Sequence, residues 1–173
     1  MKMYDEIWGL AEDNYGIITS AQAAEIGVSR QNMRKMGKAG LLTRLCHGVY
    51  QVKHHVPTPR DVYAAAVAMG GGLAYLRGAS VAALLELAPA DPAYIYIGAA
   101  NRVRRKLPDG YVLKDMKDAE TTFYDGIRCQ KIADALREAR SEGVIEADRV
   151  FAAAEKANEK GLLTDEEAAE FKN

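Results

Sequence analysis

Between Ser29 and Lys38 the chain reads Ser-Arg-Gln-Asn-Met-Arg-Lys-Met-Gly-Lys, and its polar members carry the chemistry of nucleic-acid recognition. A guanidinium matches the two acceptors on the major-groove edge of guanine, and a carboxamide matches the donor–acceptor pair of adenine. Arg30, Gln31, Asn32 and Arg34 supply those groups at the start of a predicted helix, the part of a recognition helix that reaches base edges. Ser29, Lys35 and Lys38 suit phosphate oxygens, which position a helix without reading sequence. Asn32 reads equally well as an ordinary polar helix residue, and Met33 and Met36 fall on the opposite face, as core residues do. Further on, Arg44 and His47 stand where a hairpin turn would carry them to the neighbouring backbone or minor groove. Tyr50 is as well suited to the core as to a contact.

The distribution of charge supports this chemistry although the total does not. The net charge is −1, yet no Asp or Glu occurs from Ile26 to Arg60, a window that carries +7 and all three histidines, leaving −8 on the rest. Sign asymmetry of this kind is expected of a local phosphate-binding face on an acidic protein. Arg102, Arg104, Arg105 and Lys106 form a second basic run. It is compatible with an extended DNA footprint, an acidic partner or a solvated loop.

Other chemistries are poorly served. Cys46-His47 and His54-His55 lack a second cysteine at ligand spacing, so no metal is expected. The chain shows no GxxxxGK[ST] phosphate loop, no GxSxG elbow and no HExxH, and Gly70-Gly71-Gly72 lacks the lysine of a nucleotide loop. Neither enzymatic activity nor a cofactor is expected. Cys46 and Cys129 form no redox spacing, which favours a reducing, cytoplasmic setting. The start of the chain is acidic and unlike a signal peptide, and the longest nearly uncharged stretch, 62–76, is too short to span a bilayer.

The elements that must hold these residues follow from periodicity and punctuation. A first helix is expected over 4–14, with Ile7, Leu10 and Ala11 inward beside Trp8. Thr19 with Gln22 makes a capping box for a helix over 20–25, ended by Gly27. Ser29 caps a helix over 30–39, closed by Gly40. Ala23, Ala24, Val28, Met33 and Met36 are the expected inward set. Two short helices across a glycine turn, the second one basic, make a helix-turn-helix. Alternation at 41–45 and 49–51 around Cys46-His47-Gly48 then gives a hairpin, and a hairpin in that place is a wing. Val56-Pro57-Thr58-Pro59 reads as a linker. Beyond it, helices are expected near 60–69 and 79–87, strands at 93–98, 111–116 and 127–130, and helices from 131 to the end. The last of these is capped by Thr164 with Glu167. The expected architecture is α+β, with a winged helix-turn-helix over 1–56 and a mixed α/β unit ending in helices over 57–173.

Several segments resemble AbiEi-like antitoxins of bacterial abortive-infection, type IV toxin–antitoxin systems. They are Ile18-Thr19-Ser20-Ala21-Gln22-Ala23, Gly27-Val28-Ser29-Arg30, Gly40-Leu41-Leu42 and Gly48-Val49-Tyr50, in that order and spacing. Arg77-Gly78-Ala79-Ser80-Val81-Ala82-Ala83-Leu84, followed by Tyr94-Ile95-Tyr96-Ile97, resembles the start of the C-terminal domain of that family. The similarity spans 4–106, with weaker continuation to about 140. It departs at Cys46-His47, where relatives often carry paired arginines, and at Leu85-Glu86-Leu87, where a His-Gly-Leu-like ending is common. The resemblance implies a winged helix that binds double-stranded DNA and represses its own promoter. It also implies a second domain that counters a nucleotidyltransferase toxin without requiring a stable complex. The alternative is an interaction module that neutralises a partner, with DNA binding secondary. Homodimerisation is compatible with either.

Overall fold

The structure is a computed structural model that describes residues 2–89 and 93–172. Met1 and Asn173, the outer ends of the two expected units, lie outside the described residues. The first helix, α1 (Lys2–Glu12), buries Ile7 and Ala11 and half-buries Tyr4 and Trp8. Leu10, expected inward, is 46% exposed. Its place one residue before Ala11 turns it about 100° away from that buried row. Strand β1 (Ile17–Thr19) leads into α2 (Ser20–Glu25), and Thr19 and Gln22 close the expected capping box with bonds of 3.1 and 2.9 Å. Helix α3 (Arg30–Lys38) starts at Ser29, whose hydroxyl oxygen accepts from the Asn32 backbone N–H at 3.1 Å. Strands β2 (Leu42–Cys46) and β3 (Val49–Val52) form the wing, and β1 adds to it antiparallel, giving the order β1-β3-β2.

Ala23, Val28, Met33 and Met36 pack with Ile7, Ile18 and Leu42 in one core. Ala24 was expected there too, but it is exposed. A helix of only six residues has room for one inward position, and Ala23 takes it.

After the wing come α4 (Asp61–Gly70), β4 (Tyr75–Leu76), α5 (Ala79–Leu84), β5 (Ile95–Ala99) and β6 (Tyr111–Asp115). Then follow β7 (Thr121–Tyr124), β8 (Ile127–Gln130), α6 (Ile132–Ser141), α7 (Ala147–Glu159) and α8 (Asp165–Ala169). The second sheet has the order β6-β5-β4-β8-β7, with β5–β6 and β4–β8 parallel and the other pairs antiparallel. The architecture is α+β, a winged helix-turn-helix followed by a sheet and C-terminal helices. Two details differ from expectation. Helix α5 stops at Leu84 rather than Leu87, because Glu86 turns to a positive φ of 57°. Strand β7 was not expected at all. It pairs with β8 across Asp125-Gly126, both at positive φ (52° and 76°), as a two-residue hairpin turn requires.

The two sheets are joined by more than the chain. Helix α4 packs against β1 and β3 of the winged helix and against β4, β5 and β8 of the second sheet. Ile17 and Val49 consequently belong to the same core as Ala66, Leu76, Ile97 and Leu136. The Pro-rich segment before α4 is held at its end. Asp61 accepts from Thr58 Oγ1 at 2.6 Å and from Gln51 Nε2 at 3.1 Å, and lies 2.9 Å from His55 Nε2. Burial alone would raise the Asp61 carboxyl, but its bonds from Thr58, His55 and Gln51 outweigh that and hold it below the usual carboxylate range. Tyr15 donates to the Asp125 carbonyl, and Arg60 pairs with the Asp125 carboxylate at 3.0 Å.

Candidate nucleic-acid interface

The alternation of Met33 and Met36 with charged residues orients α3. With both methionines buried, Arg30, Gln31, Arg34, Lys35 and Lys38 are exposed, and Asn32 is half-buried on the flank. The exposed side chains fall into two neighbouring rows at helical spacing, Arg30 with Arg34 and Gln31 with Lys35 and Lys38. Ser29 caps the helix with its oxygen, so its O–H is left to donate outward. Among the described residues no carboxylate pairs with any of the basic side chains of α3. They face solvent with their charge uncompensated, and Arg30 stands in the first turn, where free backbone N–H groups add to the positive potential.

The wing is built from local bonds. Gly48 sits at a φ of 77°, which lets the chain reverse after Cys46-His47, and its carbonyl accepts from the Ser20 N–H at 2.8 Å. That bond ties the wing turn to the first residue of α2. Opposite, β2 has an irregular register between Arg44 and Cys46. There Arg44 folds back over the turn, with Nε 3.4 Å from the Cys46 carbonyl and Nη2 3.3 Å from His47 Nδ1. Both side chains are exposed, whereas Tyr50 is 5% exposed and belongs to the core.

The three histidines do different things. His47 is at the wing turn, His54 meets Tyr4 Oη at 3.1 Å with its ring edge-on to Trp8, and His55 faces Asp61. No group of three or more His, Cys, Asp or Glu side chains among the described residues is arranged to hold a metal ion. Cys46 and Cys129 are free, and burial pushes the Cys129 thiol up to about 12. No described helix is long and apolar enough to cross a membrane.

Arg30, Arg34, Arg44 and His47 also share one wall of a cleft of about 510 Å³ whose other wall comes from the second half of the chain. Arg105, from the second basic run, and Arg128, from β8, line it too. Arg128 carried no signal as a lone arginine. Its register does: Ile127 and Cys129 are buried on either side, so Arg128 must point to the other face of the sheet.

Helix α3, the glycine turn before it and the wing after it together decide the comparison with known proteins. Residues 10–53 match the family described as "Transcriptional regulator, AbiEi antitoxin". Over this stretch the chain is similar to that family. No match was found among curated proteins. The AbiEi match runs from within α1 to just past β3, so it contains all of α2, α3 and the wing. The family is described as one of transcriptional regulators and antitoxins.

Proposed function

We propose that the chain is a sequence-specific DNA-binding repressor acting on its own promoter, as the antitoxin of a type IV toxin–antitoxin operon in the cytoplasm. The observation that carries this is the uncompensated basic face of α3 next to the wing. In this reading Arg30, Gln31, Asn32 and Arg34 enter the major groove and read base edges. Ser29, Lys35 and Lys38 hold phosphates. Arg44 and His47 touch the flanking backbone from the wing. The winged helix takes up residues 1–56, and residues 57–173 supply the activity that counters a nucleotidyltransferase toxin without a lasting complex. The resemblance of 77–97 to the AbiEi C-terminal domain supports that assignment.

Titration of the full chain into a duplex of its own promoter, over a range of salt, tests the first claim. Phosphate neutralisation releases condensed counterions, so about four to six phosphate contacts per protomer give a log–log slope of roughly −4 to −5. A slope near zero, or no binding at low salt, removes the DNA-binding reading. Co-expression with an adjacent nucleotidyltransferase gene tests the second. The full chain should restore growth, and its failure to do so leaves a regulator without antitoxin activity.

A further inference from the structure

The cleft between α3, the wing and the second sheet is built differently from a surface that only follows a DNA backbone. Its rim is basic, with Arg30, Arg34 and Arg44 on one side and Arg105 and Arg128 on the other. Glu25 is the one acid among its described lining residues. Its floor is apolar, from Ala64, Val67, Ala68 and Ile127. An exposed aromatic stands at the edge: Phe123 on β7 is 59% exposed, with the Arg128 guanidinium over its ring at 4.8 Å. At about 510 Å³ it falls within the size range of small-ligand sites, roughly 300–1,000 Å³.

Arg105 lines this cleft and also the neighbouring one formed by 70–74 and 99–106. Among the described residues its Nη1 is the one buried side-chain nitrogen or oxygen without a hydrogen-bond partner. A buried guanidinium N–H left unpaired is costly, and native proteins rarely leave one without a partner. Elsewhere on the second half, Arg77, Arg137, Lys114 and Lys131 are each neutralised by a carboxylate of the same chain. The cleft arginines are not.

We propose that this cleft binds a nucleoside polyphosphate. The phosphates lie between Arg105 and the α3 arginines, and the base lies against Phe123 and the apolar floor. Planar guanidinium forks suit phosphate oxygens, and a π-face suits any base. Arg30, Arg34 and Arg44 cannot serve this ligand and a duplex at once, so the nucleotide competes with DNA and would relieve repression. Competition rests on the DNA-binding reading; binding in the cleft does not.

The test uses the full chain and calorimetric titration with ATP, GTP and inorganic tripolyphosphate at fixed ionic strength. Duplex binding without nucleotide is measured first. ATP or GTP is expected to saturate one site per chain, and Arg105→Gln should weaken it roughly tenfold or more, as loss of a charge-assisted bond does. Phe123→Ala should weaken the nucleotides while leaving tripolyphosphate unchanged. Arg128→Gln is a second variant on the same rim, and the circular-dichroism melt of each variant shows that it folds. ATP should raise the apparent Kd for the duplex in step with its occupancy. Absence of saturable nucleotide binding, binding unaltered in both arginine variants, or ATP and duplex bound together without interference overturns the proposal. Should Arg105→Gln weaken the duplex rather than ATP, the cleft holds the DNA backbone and the nucleotide assignment is wrong. A chain that binds ATP but no duplex instead removes the repressor reading and leaves the cleft site standing.

Discussion

Arg30 and Arg34 differ from Lys38 in position as well as in chemistry. The two arginines occupy the first half of α3 and one row of its surface, whereas Lys38 is its last residue, on the neighbouring row. Helix ends far from the N-terminus meet phosphates more easily than base edges. Arg30→Ala and Arg34→Ala should each cost roughly 1–3 kcal/mol on the preferred site and relax sequence choice. Lys38→Ala should weaken specific and unrelated duplexes alike and reduce the salt slope by about one. Equal losses on both kinds of duplex for the arginine variants would show that these side chains touch only phosphates. Most of this face is legible in the sequence because Met33 and Met36 fix which way α3 turns. Ala24 and Leu10 were misplaced for a related reason: apolar character alone does not put a residue inward when its neighbour at helical spacing already fills the core.

At the scale of elements, the parts written in local chemistry are the ones the sequence shows. Thr19, Ser29 and Thr164 cap three helices as their side chains suggest, and Gly27, Gly40 and Gly48 hold positive φ where the chain turns. The β7–β8 hairpin was missed although Asp125-Gly126 is a strong turn signal. Strand β7 is Thr-Thr-Phe-Tyr with Phe123 outward, so it lacks the clean alternation that would have marked it. Its pairing with β8, and of β8 with β4, joins segments whose partnership no local pattern encodes. The cleft was illegible for the same reason, since only the tertiary fold brings Arg105 and Arg128 to the same cleft as α3. The capping box gives a direct test of the local part. Thr19→Ala removes the bond that Thr19 Oγ1 accepts from the Gln22 N–H and loosens the reciprocal bond from the Thr19 N–H to Gln22 Oε1, and should cost about 1 kcal/mol of stability. The measurement is urea unfolding. An unchanged midpoint would mean that packing of Ala23, not the cap, sets the start of α2.

For the molecule as a whole, the junction between winged helix and second sheet is decided by α4. Ile17 and Val49 enter the larger core, so cutting the chain near His55 would expose both and remove Asp61 from its partners. Full-length variants are therefore the better probe of how the halves are coupled. Asp61 is the point to test, because its carboxylate, 16% exposed, gathers Gln51 from β3, His55 after it and Thr58 before α4. Its folded pKa is lowered: burial raises it, and the three bonds outweigh burial. The sign follows from linkage. Stability from this group is fully present above the unfolded carboxylate value, about 3.9, and fades as pH falls through the lower folded value. Asp61→Asn keeps the size but loses the charge and one acceptor, and should cost roughly 1–3 kcal/mol near neutral pH, the scale of bonds to a charged group. Glu142, held low by its bond from Lys114 against desolvation and by Arg77, titrates in the same acidic range. The quantity to follow is thus the difference between parent and variant, in which Glu142 cancels. That difference should shrink as pH falls below about 4. If Asp61 couples the two cores, the variant should also lose cooperativity, with the winged helix melting before the second sheet in calorimetry. A variant that melts in one transition at the parent's midpoint, with no pH-dependent difference, would show that α4 packing alone holds the halves together.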